Sequence, residues 1–140
     1  MRIAAGEADL VLGCDMVVVN DYWALSKIRG GRSNVVLNDY QAMPGTFTRN
    51  TDMQFPAKGI IEAIKTALNG QEPMQVSGTD LALALMGDAL ATNLLMLGFA
   101  WQQGLVPLSF ESIMRAVELN GAAVKKKKKA FAWGRMTAHD

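Results

Sequence analysis

Short apolar segments that alternate with helical patterns in the first half of the chain constrain its fold more than any other feature. Residues 9–13 (Asp-Leu-Val-Leu-Gly) form an apolar run that ends in glycine, which is typical of a buried parallel strand. Residues 33–38 predict a second strand, and residues 74–76 predict a weaker third one. Because parallel strands are joined by crossover connections that usually contain a helix, this order predicts βαβ units and a parallel sheet.

Each gap between these strands contains a helical pattern. Asp15 is expected to cap the first helix, which the glycine pair at 30–31 ends. Pro56 suits the first turn of the second helix, which ends at Asn69-Gly70. Residues 39–55, before the second helix, predict a long loop of the kind that is usually functional or interface-forming. The apolar faces consist of residues that recur at helical spacing: Val18, Tyr22, Leu25 and Ile28, then Ile60, Ile61, Ile64 and Leu68.

The second half of the chain is predicted to be helical, and its most apolar part is residues 81–100. The helical pattern is interrupted at Gly87, and Asp88 is expected to cap a further helix that runs to about residue 103. That helix is apolar nearly all round, which predicts a central element packed on several sides. Asn93 inside it is expected to make an interhelical hydrogen bond, because unpaired buried polar groups are costly. The Asp88 carboxylate would cost about 2.5–3.5 kcal/mol at the centre of a bilayer, so we expect burial in protein rather than a membrane span.

Two further helices are predicted towards the end of the chain. Pro107 and Ser109 start the first of them, and the last spans roughly residues 122–133. The apolar face of the first consists of Phe110, Ile113, Met114 and Val117. Five consecutive lysines, residues 125–129, would point all around a helix, so they cannot lie on a tightly buried one. We interpret this run as a solvated and locally mobile segment.

The length of 140 residues predicts about one domain. Three strands are few for a parallel sheet that is covered by helices on both faces. We therefore expect an α/β fold, a Rossmann-like partial parallel sheet flanked by helices, with a helical C-terminal half. Residues 1–140 would form a single incomplete domain that lacks its first strand and helix. The sheet edge where that strand would pair favours self-association.

The composition excludes several classes of function. One cysteine, Cys14, excludes a disulfide framework and a multi-cysteine zinc or iron–sulfur site. One histidine, His139, near the end of the sequence leaves a Ser/His/Asp or Cys/His nucleophile system without a plausible base. Of 14 positive charges against 13 negative ones, five lie at 125–129, so the remainder lacks the distributed positive face of a nucleic-acid binder. We predict no catalytic residue and no metal ligand in this chain.

Several segments, in order along the chain, resemble one known family. They are similar to the gamma-type domain of 2-oxoacid:ferredoxin oxidoreductases, and within that family to the large fused indolepyruvate ferredoxin oxidoreductases of bacteria. The most characteristic segment is residues 2–15, Arg-Ile-Ala-Ala-Gly-Glu-Ala-Asp-Leu-Val-Leu-Gly-Cys-Asp. The other matching segments are residues 20–26, 40–45, 86–93, 97–107, 118–124 and 130–135.

The chain departs from this family in two places. The family's gamma domain begins with a glycine-rich strand–turn–helix of the GxGGxG kind, which could bind a phosphate through backbone amides, and this sequence has no such segment. Where the chain has its lysines at 125–129, the family more often has a mixed polar sequence with an asparagine. Both departures suggest a fragment or a divergent copy, N-terminally truncated, rather than a competent subunit.

The resemblance implies oxidative decarboxylation of a 2-oxoacid such as indole-3-pyruvate, with coenzyme A and ferredoxin. In the family, thiamine diphosphate, magnesium and the iron–sulfur clusters belong chiefly to other domains. The resemblance thus implies a cytoplasmic piece of an oxidoreductase that is inactive alone, packs around the active site, and has the enzyme's other domains as partners. Ferredoxin would be reached through the complete enzyme. The alternative is a non-enzymatic interaction module or a degenerate remnant of such an enzyme.

Candidate ligand contacts lie where the first two predicted strands end, because ligands of open α/β sheets bind beyond the carboxyl ends of the strands. These candidates are Cys14, Asp15, Asn38 and Asp39. For Cys14 a small buried residue is favoured over a reactive thiol, and for Asp15 a helix cap is favoured over ligand contact. For Asn38 and Asp39 a crevice and a simple turn remain equal alternatives.

Overall fold

The computed structural model describes residues 3–15, 19, 22–40 and 57–139. The chain divides into two compact units, Met1–Gln75 and Val76–Asp140. The first unit carries nearly all of the sheet, and the second unit is helical. The α/β class expected from the sequence is confirmed, with a three-stranded parallel sheet and six helices among the described residues.

All three predicted strands are present. They are β1 (Leu10–Gly13), β2 (Asn34–Asn38) and β3 (Met74–Val76), arranged side by side in the order β1-β2-β3. β1 and β2 pair in parallel, with Leu10 opposite Asn34. The central strand β2 is buried from Val35 to Asn38, whereas the edge strand β1 is only half-buried from Leu10 to Leu12.

Two helices of the first unit are described, α1 (Tyr22–Leu25) and α2 (Ala57–Ala67). The apolar face of α2 lies as its spacing predicts, with Ile60 and Ile64 in the core and Ile61 packed at its margin. Gly13 ends β1 where a Cβ atom would clash with the side chains of Val19 and Leu37, so glycine permits this close packing. The buried core of the unit consists of Val19, Ile28, Val35, Leu37, Ile60, Ile64 and Leu68.

The second unit contains four helices among the described residues. They are α3 (Gly78–Met86), α4 (Thr92–Gln102), α5 (Phe110–Asn120) and α6 (Val124–His139), with a short 3₁₀ turn at Ala89–Ala91 before α4. Gly87 ends α3 in the left-handed conformation at φ 67°. The Asp88 carboxylate then accepts a hydrogen bond from the Leu90 amide at 2.9 Å and caps the 3₁₀ turn. The Ser109 hydroxyl caps α5 by accepting from the Ser112 amide at 3.0 Å, so the predicted helix start at Ser109 is confirmed. The prediction for Asp88 is corrected, because Asp88 caps the 3₁₀ turn, whereas the N-cap residue of α4 is Ala91, which makes no side-chain capping hydrogen bond.

Helices α4 and α6 cross in direct backbone contact at two glycines. A methyl group on Gly98 would overlap the backbone carbonyl of Phe131. A methyl group on Gly134 would overlap the backbone carbonyl of Leu95. Because α4 is buried along most of its surface, as its all-round apolar pattern predicts, it is the central element of this unit.

An aromatic cluster closes one end of this crossing. The rings of Trp101, Phe110 and Phe131 have centroids 6.0 Å apart in each pair, tilted as aromatic pairs prefer. The Arg135 guanidinium lies over Trp101, 4.8 Å from the ring centroid, and over Phe110 at 5.2 Å. The Trp101 indole N–H donates to the Leu108 carbonyl at 2.8 Å, which gives its polar edge a partner.

The first predicted helix ends earlier than expected. Its pattern predicts a helix up to the glycine pair at 30–31, but α1 ends at Leu25. The reason is tertiary: the Ala8 amide donates to the Lys27 carbonyl at 3.1 Å, and Ile28 turns into the core. Part of this helix and most of the predicted loop at 39–55 lie outside the described residues.

Two expectations about the later helices are also corrected. Asn93 is exposed on α4, and among the described residues it makes no interhelical hydrogen bond. The final helix α6 extends to His139 rather than ending near residue 133. Its added residues pack against α4, where Arg135 Nε donates to Gln102 Oε1 at 2.9 Å, so contact with a neighbouring helix lengthens it.

The lysine run lies in the regular helix α6. Lys128 Nζ pairs with Glu118 Oε1 at 2.7 Å, and Lys127 Nζ donates to Asn120 Oδ1, so two of the five lysines bind α5. Lys125, Lys126 and Lys129 are exposed, as a solvated run predicts.

The apolar segment 81–100 is divided between α3, the 3₁₀ turn and α4. Within the part of the chain that the structure describes, no helix has both the length and the apolar character needed to cross a membrane.

Candidate functional site

Cys14 and Asn38 meet at the carboxyl edge of the sheet. The parallel register of β1 and β2 brings their ends to this same edge, as the sequence predicts. The Asn38 side-chain amide donates from Nδ2 to the Cys14 carbonyl oxygen at 3.1 Å. Asn38 is only 2% exposed and Cys14 is half-buried, so this hydrogen bond is partly buried.

The other end of the Asn38 side chain organises the turn that follows β2. Its Oδ1 atom accepts a hydrogen bond from the Tyr40 amide at 3.3 Å, the local pattern by which asparagine stabilises turns. Asp39 lies between them and is half-buried. Both polar atoms of the Asn38 amide therefore hold backbone, and this geometry favours the turn over the crevice.

The Cys14 thiol is half-buried next to this edge. Burial raises the pKa of the Cys14 thiol, because a thiolate is poorly solvated there. A raised pKa leaves little thiolate at neutral pH, and the thiolate is the reactive form. The physical setting therefore favours a packing role for Cys14.

Asp15 follows β1, at the start of the segment that is predicted to form the first helix. Its backbone carbonyl accepts a hydrogen bond from the Val19 amide at 3.2 Å, as the carbonyl of an N-cap residue does. Asp15 is exposed, and the first four residues after it include three that lie outside the described residues. A capping role for its carboxylate stays a prediction.

The contacts described at this edge join the Asn38 side chain to the Cys14 backbone, and the raised pKa of the Cys14 thiol disfavours its use as a nucleophile. In residues 3–15, 19, 22–40 and 57–139, no three His, Cys, Asp or Glu side chains converge on a point that could hold a metal ion.

A cavity in the second unit was not anticipated from the sequence. It lies between the Asp88 cap and the first turns of α6, where Lys126 and Lys127 reach its mouth. The lysine run and the capping residue are separately visible in the sequence. Their proximity depends on the packing of α3, α4 and α6, which no local pattern encodes.

Comparison of the chain with protein-family models, with curated proteins and with solved structures finds no match.

Proposed function

We propose that this chain is a fragment or subunit of an indolepyruvate-type 2-oxoacid:ferredoxin oxidoreductase, and that it contributes assembly and packing rather than catalysis. The observation that carries the proposal is the ordered likeness of its segments to the gamma-type domain, from residues 2–15 to residues 130–135. A partial parallel sheet with flanking helices is the kind of fold that this likeness implies.

Exposed apolar side chains support a packing role. Trp23 is 67% exposed, Leu90 86% and Leu119 70%. Large apolar and aromatic side chains on a surface are frequent anchors of protein–protein contacts. Trp23 lies within the matching segment 20–26, so we expect it to contact a neighbouring domain of the enzyme.

The complete enzyme would convert a 2-oxoacid and coenzyme A into an acyl-CoA and carbon dioxide while reducing ferredoxin. Thiamine diphosphate with magnesium, held by other domains, supplies the decarboxylation chemistry when bound. In this chain the buried Asn38 amide joins the ends of β1 and β2. The carboxyl edge of the sheet would thereby form a surface on which the neighbouring domains can pack. The proposal assigns the chain to the cytoplasm.

Reconstitution tests the proposal. The chain is added to a bacterial indolepyruvate ferredoxin oxidoreductase whose own gamma domain has been deleted, and indolepyruvate-dependent ferredoxin reduction is followed. We expect the rate to depend on the added chain. A Trp23→Glu variant should lose this effect. A Met136→Glu variant should retain it, because Met136 is similarly exposed at 57% but lies outside the matching segments.

Two results would count against the proposal. If omission of the chain leaves ferredoxin reduction unchanged although the chain binds the other domains, it is an interaction module without an enzymatic role. If the chain does not bind those domains at all, the assignment to this family is wrong.

A further inference from the structure

The second unit contains a cavity of about 240 Å³ with a mainly apolar wall. It opens where the 3₁₀ turn faces the start of α6. Its apolar lining consists of Met86, Leu90, Ala91, Leu94, Ala123 and Ala130. A wall of this kind favours the burial of a hydrocarbon group, because moving a methylene from water to an apolar site is worth about 0.8 kcal/mol.

The mouth of the cavity carries an excess of positive charge. Lys126 and Lys127 line it together with a single acidic residue, Asp88. The Asp88 carboxylate already accepts the Leu90 amide at 2.9 Å, and Lys127 uses one ammonium hydrogen on Asn120. Lys126 is exposed and forms no ion pair with any carboxylate of the described chain. Its ammonium group can therefore bind an anion at the entrance.

We infer that this cavity binds a small amphipathic anion, a monocarboxylate with an unbranched alkyl chain of medium length. The alkyl chain would lie along the apolar wall, and the carboxylate would pair with Lys126 and with a remaining N–H of Lys127. A cavity of about 150 Å³ holds benzene, so 240 Å³ has room for a longer hydrocarbon. The Asp88 carboxylate at the rim repels a second negative charge, which favours a monocarboxylate over a phosphate or a dicarboxylate.

Octanoate is the probe for a binding experiment with the full chain of 140 residues. Alanine methyl groups labelled with ¹³C would report it, since Ala91, Ala123 and Ala130 line the cavity. We expect saturable shifts of these methyl signals with one octanoate per chain. From butanoate to hexanoate to octanoate the affinity should rise about fourfold per methylene. Heptan-1-ol, which has the same heptyl chain without the charge, should bind more weakly.

Two lysine variants distinguish binding at this cavity from non-specific attraction of anions by the lysine run. In Lys126→Glu, octanoate affinity should fall roughly three- to tenfold, because an attractive surface charge becomes a repulsive one. Lys129→Glu changes the net charge equally, but Lys129 is exposed and does not line the cavity, so the affinity should stay within about twofold. Both positions are exposed, so both variants should fold. Ala91→Phe fills the cavity and should abolish the binding of octanoate and heptan-1-ol alike.

Several outcomes would overturn the inference. Methyl shifts that do not saturate would show that the cavity does not bind octanoate, and equal affinity for octanoate and heptan-1-ol would show that it has no anion site. If Lys126→Glu and Lys129→Glu reduce the octanoate affinity equally, the lysine run attracts anions by its overall charge and the cavity is not the binding site. Binding to vesicles with anionic lipid, in the absence of octanoate binding, would identify a membrane surface as the partner. None of these outcomes depends on ferredoxin reduction, so they leave the proposed function unaffected.

Discussion

The two compact units bury their apolar groups in different ways. In the first unit, side chains fill the space between elements: Val35 and Leu37 of β2 share a core with Ile60 and Ile64 of α2. In the second unit, α4 and α6 approach until backbone meets backbone, with no side chain between them at two glycines. Side chains can shift to accept a change, whereas backbone in a helix cannot. The second unit should therefore tolerate a single added methyl group at its contact much less well.

The strongest test of this difference exchanges one helical glycine for alanine in each unit. Gly134→Ala places a methyl group on the backbone carbonyl of Leu95 and should destabilise the second unit by about 3 kcal/mol. Gly59→Ala in α2 meets no atom within 4 Å, so it should stabilise the first unit by about 0.5–1 kcal/mol through helix propensity. Urea unfolding followed by circular dichroism measures both changes.

Tryptophan fluorescence shows which of the two units is destabilised by Gly134→Ala. Trp101 and Trp133 are partly buried in the second unit, whereas Trp23 in the first is 67% exposed and should change little on unfolding. Gly134→Ala should move the fluorescence transition to lower urea. If Gly134→Ala and Gly59→Ala shift the unfolding midpoints alike, the distinction between side-chain and backbone packing fails.

A smaller effect is expected at the carboxyl edge of the sheet in the first unit. Asn38→Ala removes the partner of the Cys14 carbonyl and of the Tyr40 amide, and both hydrogen bonds are partly buried. Leaving such groups without a hydrogen bond should cost about 1–3 kcal/mol. Asn34→Ala is the matched control, because Asn34 begins the same strand but is exposed, and it should change stability by less than about 0.5 kcal/mol. Equal urea midpoints for the two variants would show that the Asn38 hydrogen bonds do not stabilise the edge.

The smallest effects on stability are expected from one exposed ion pair in each unit. In the second unit, a hydrogen bond from Lys128, and then its charge, hold the pKa of Glu118 below its ordinary value. In the first unit, a hydrogen bond to Glu72, and then its charge, raise the pKa of Lys65. The Glu118 contribution is thus present above the ordinary carboxyl pKa and is lost as the pH falls through the lowered value. The Lys65 contribution is present below the ordinary ammonium pKa and is lost as the pH rises through the raised value.

Titration of the Glu118 carboxyl by NMR measures the first of these shifts. Lys128→Gln should return the Glu118 pKa towards its ordinary value, because the ion pair at 2.7 Å is removed. Lys129→Gln removes the same charge from a residue that does not pair with Glu118, so it should leave the pKa nearly unchanged. Salt at high concentration should reduce the difference between the variants, since both partners reach solvent. An unshifted Glu118 pKa in the unmodified chain would contradict the pairing.

Much of the fold could be predicted because its signals are local. Asp88 and Ser109 each cap a helical segment through an amide two or three residues away, so the capping pattern is visible in a short window. The strand at 33–38 and the apolar face of α2 follow from periodicity for the same reason. The end of α1 could not be read in this way, because it depends on a hydrogen bond from Ala8, a residue far away in sequence.

At the candidate site, too, some features could be predicted from the sequence and others could not. The strand ends place Cys14 and Asn38 at one edge, and this followed from the parallel arrangement alone. The hydrogen bonds from the Asn38 side chain to the backbone could not be predicted in the same way. They depend on which of several nearby donors and acceptors the side-chain atoms meet. Asn93 shows the converse: an apolar neighbourhood in sequence suggests burial, yet its position on α4 faces solvent.

The amino-acid sequence by itself determined the class of fold, the strands and the start of α5 at Ser109, because each depends on composition or on residues within a few positions of one another. The tertiary structure decided the contact of Gly98 and Gly134 with facing backbone, and the cavity beside Lys126. These features require segments that are distant in sequence to meet at a fixed distance. That distance is set by the packing of whole helices, which no local pattern specifies.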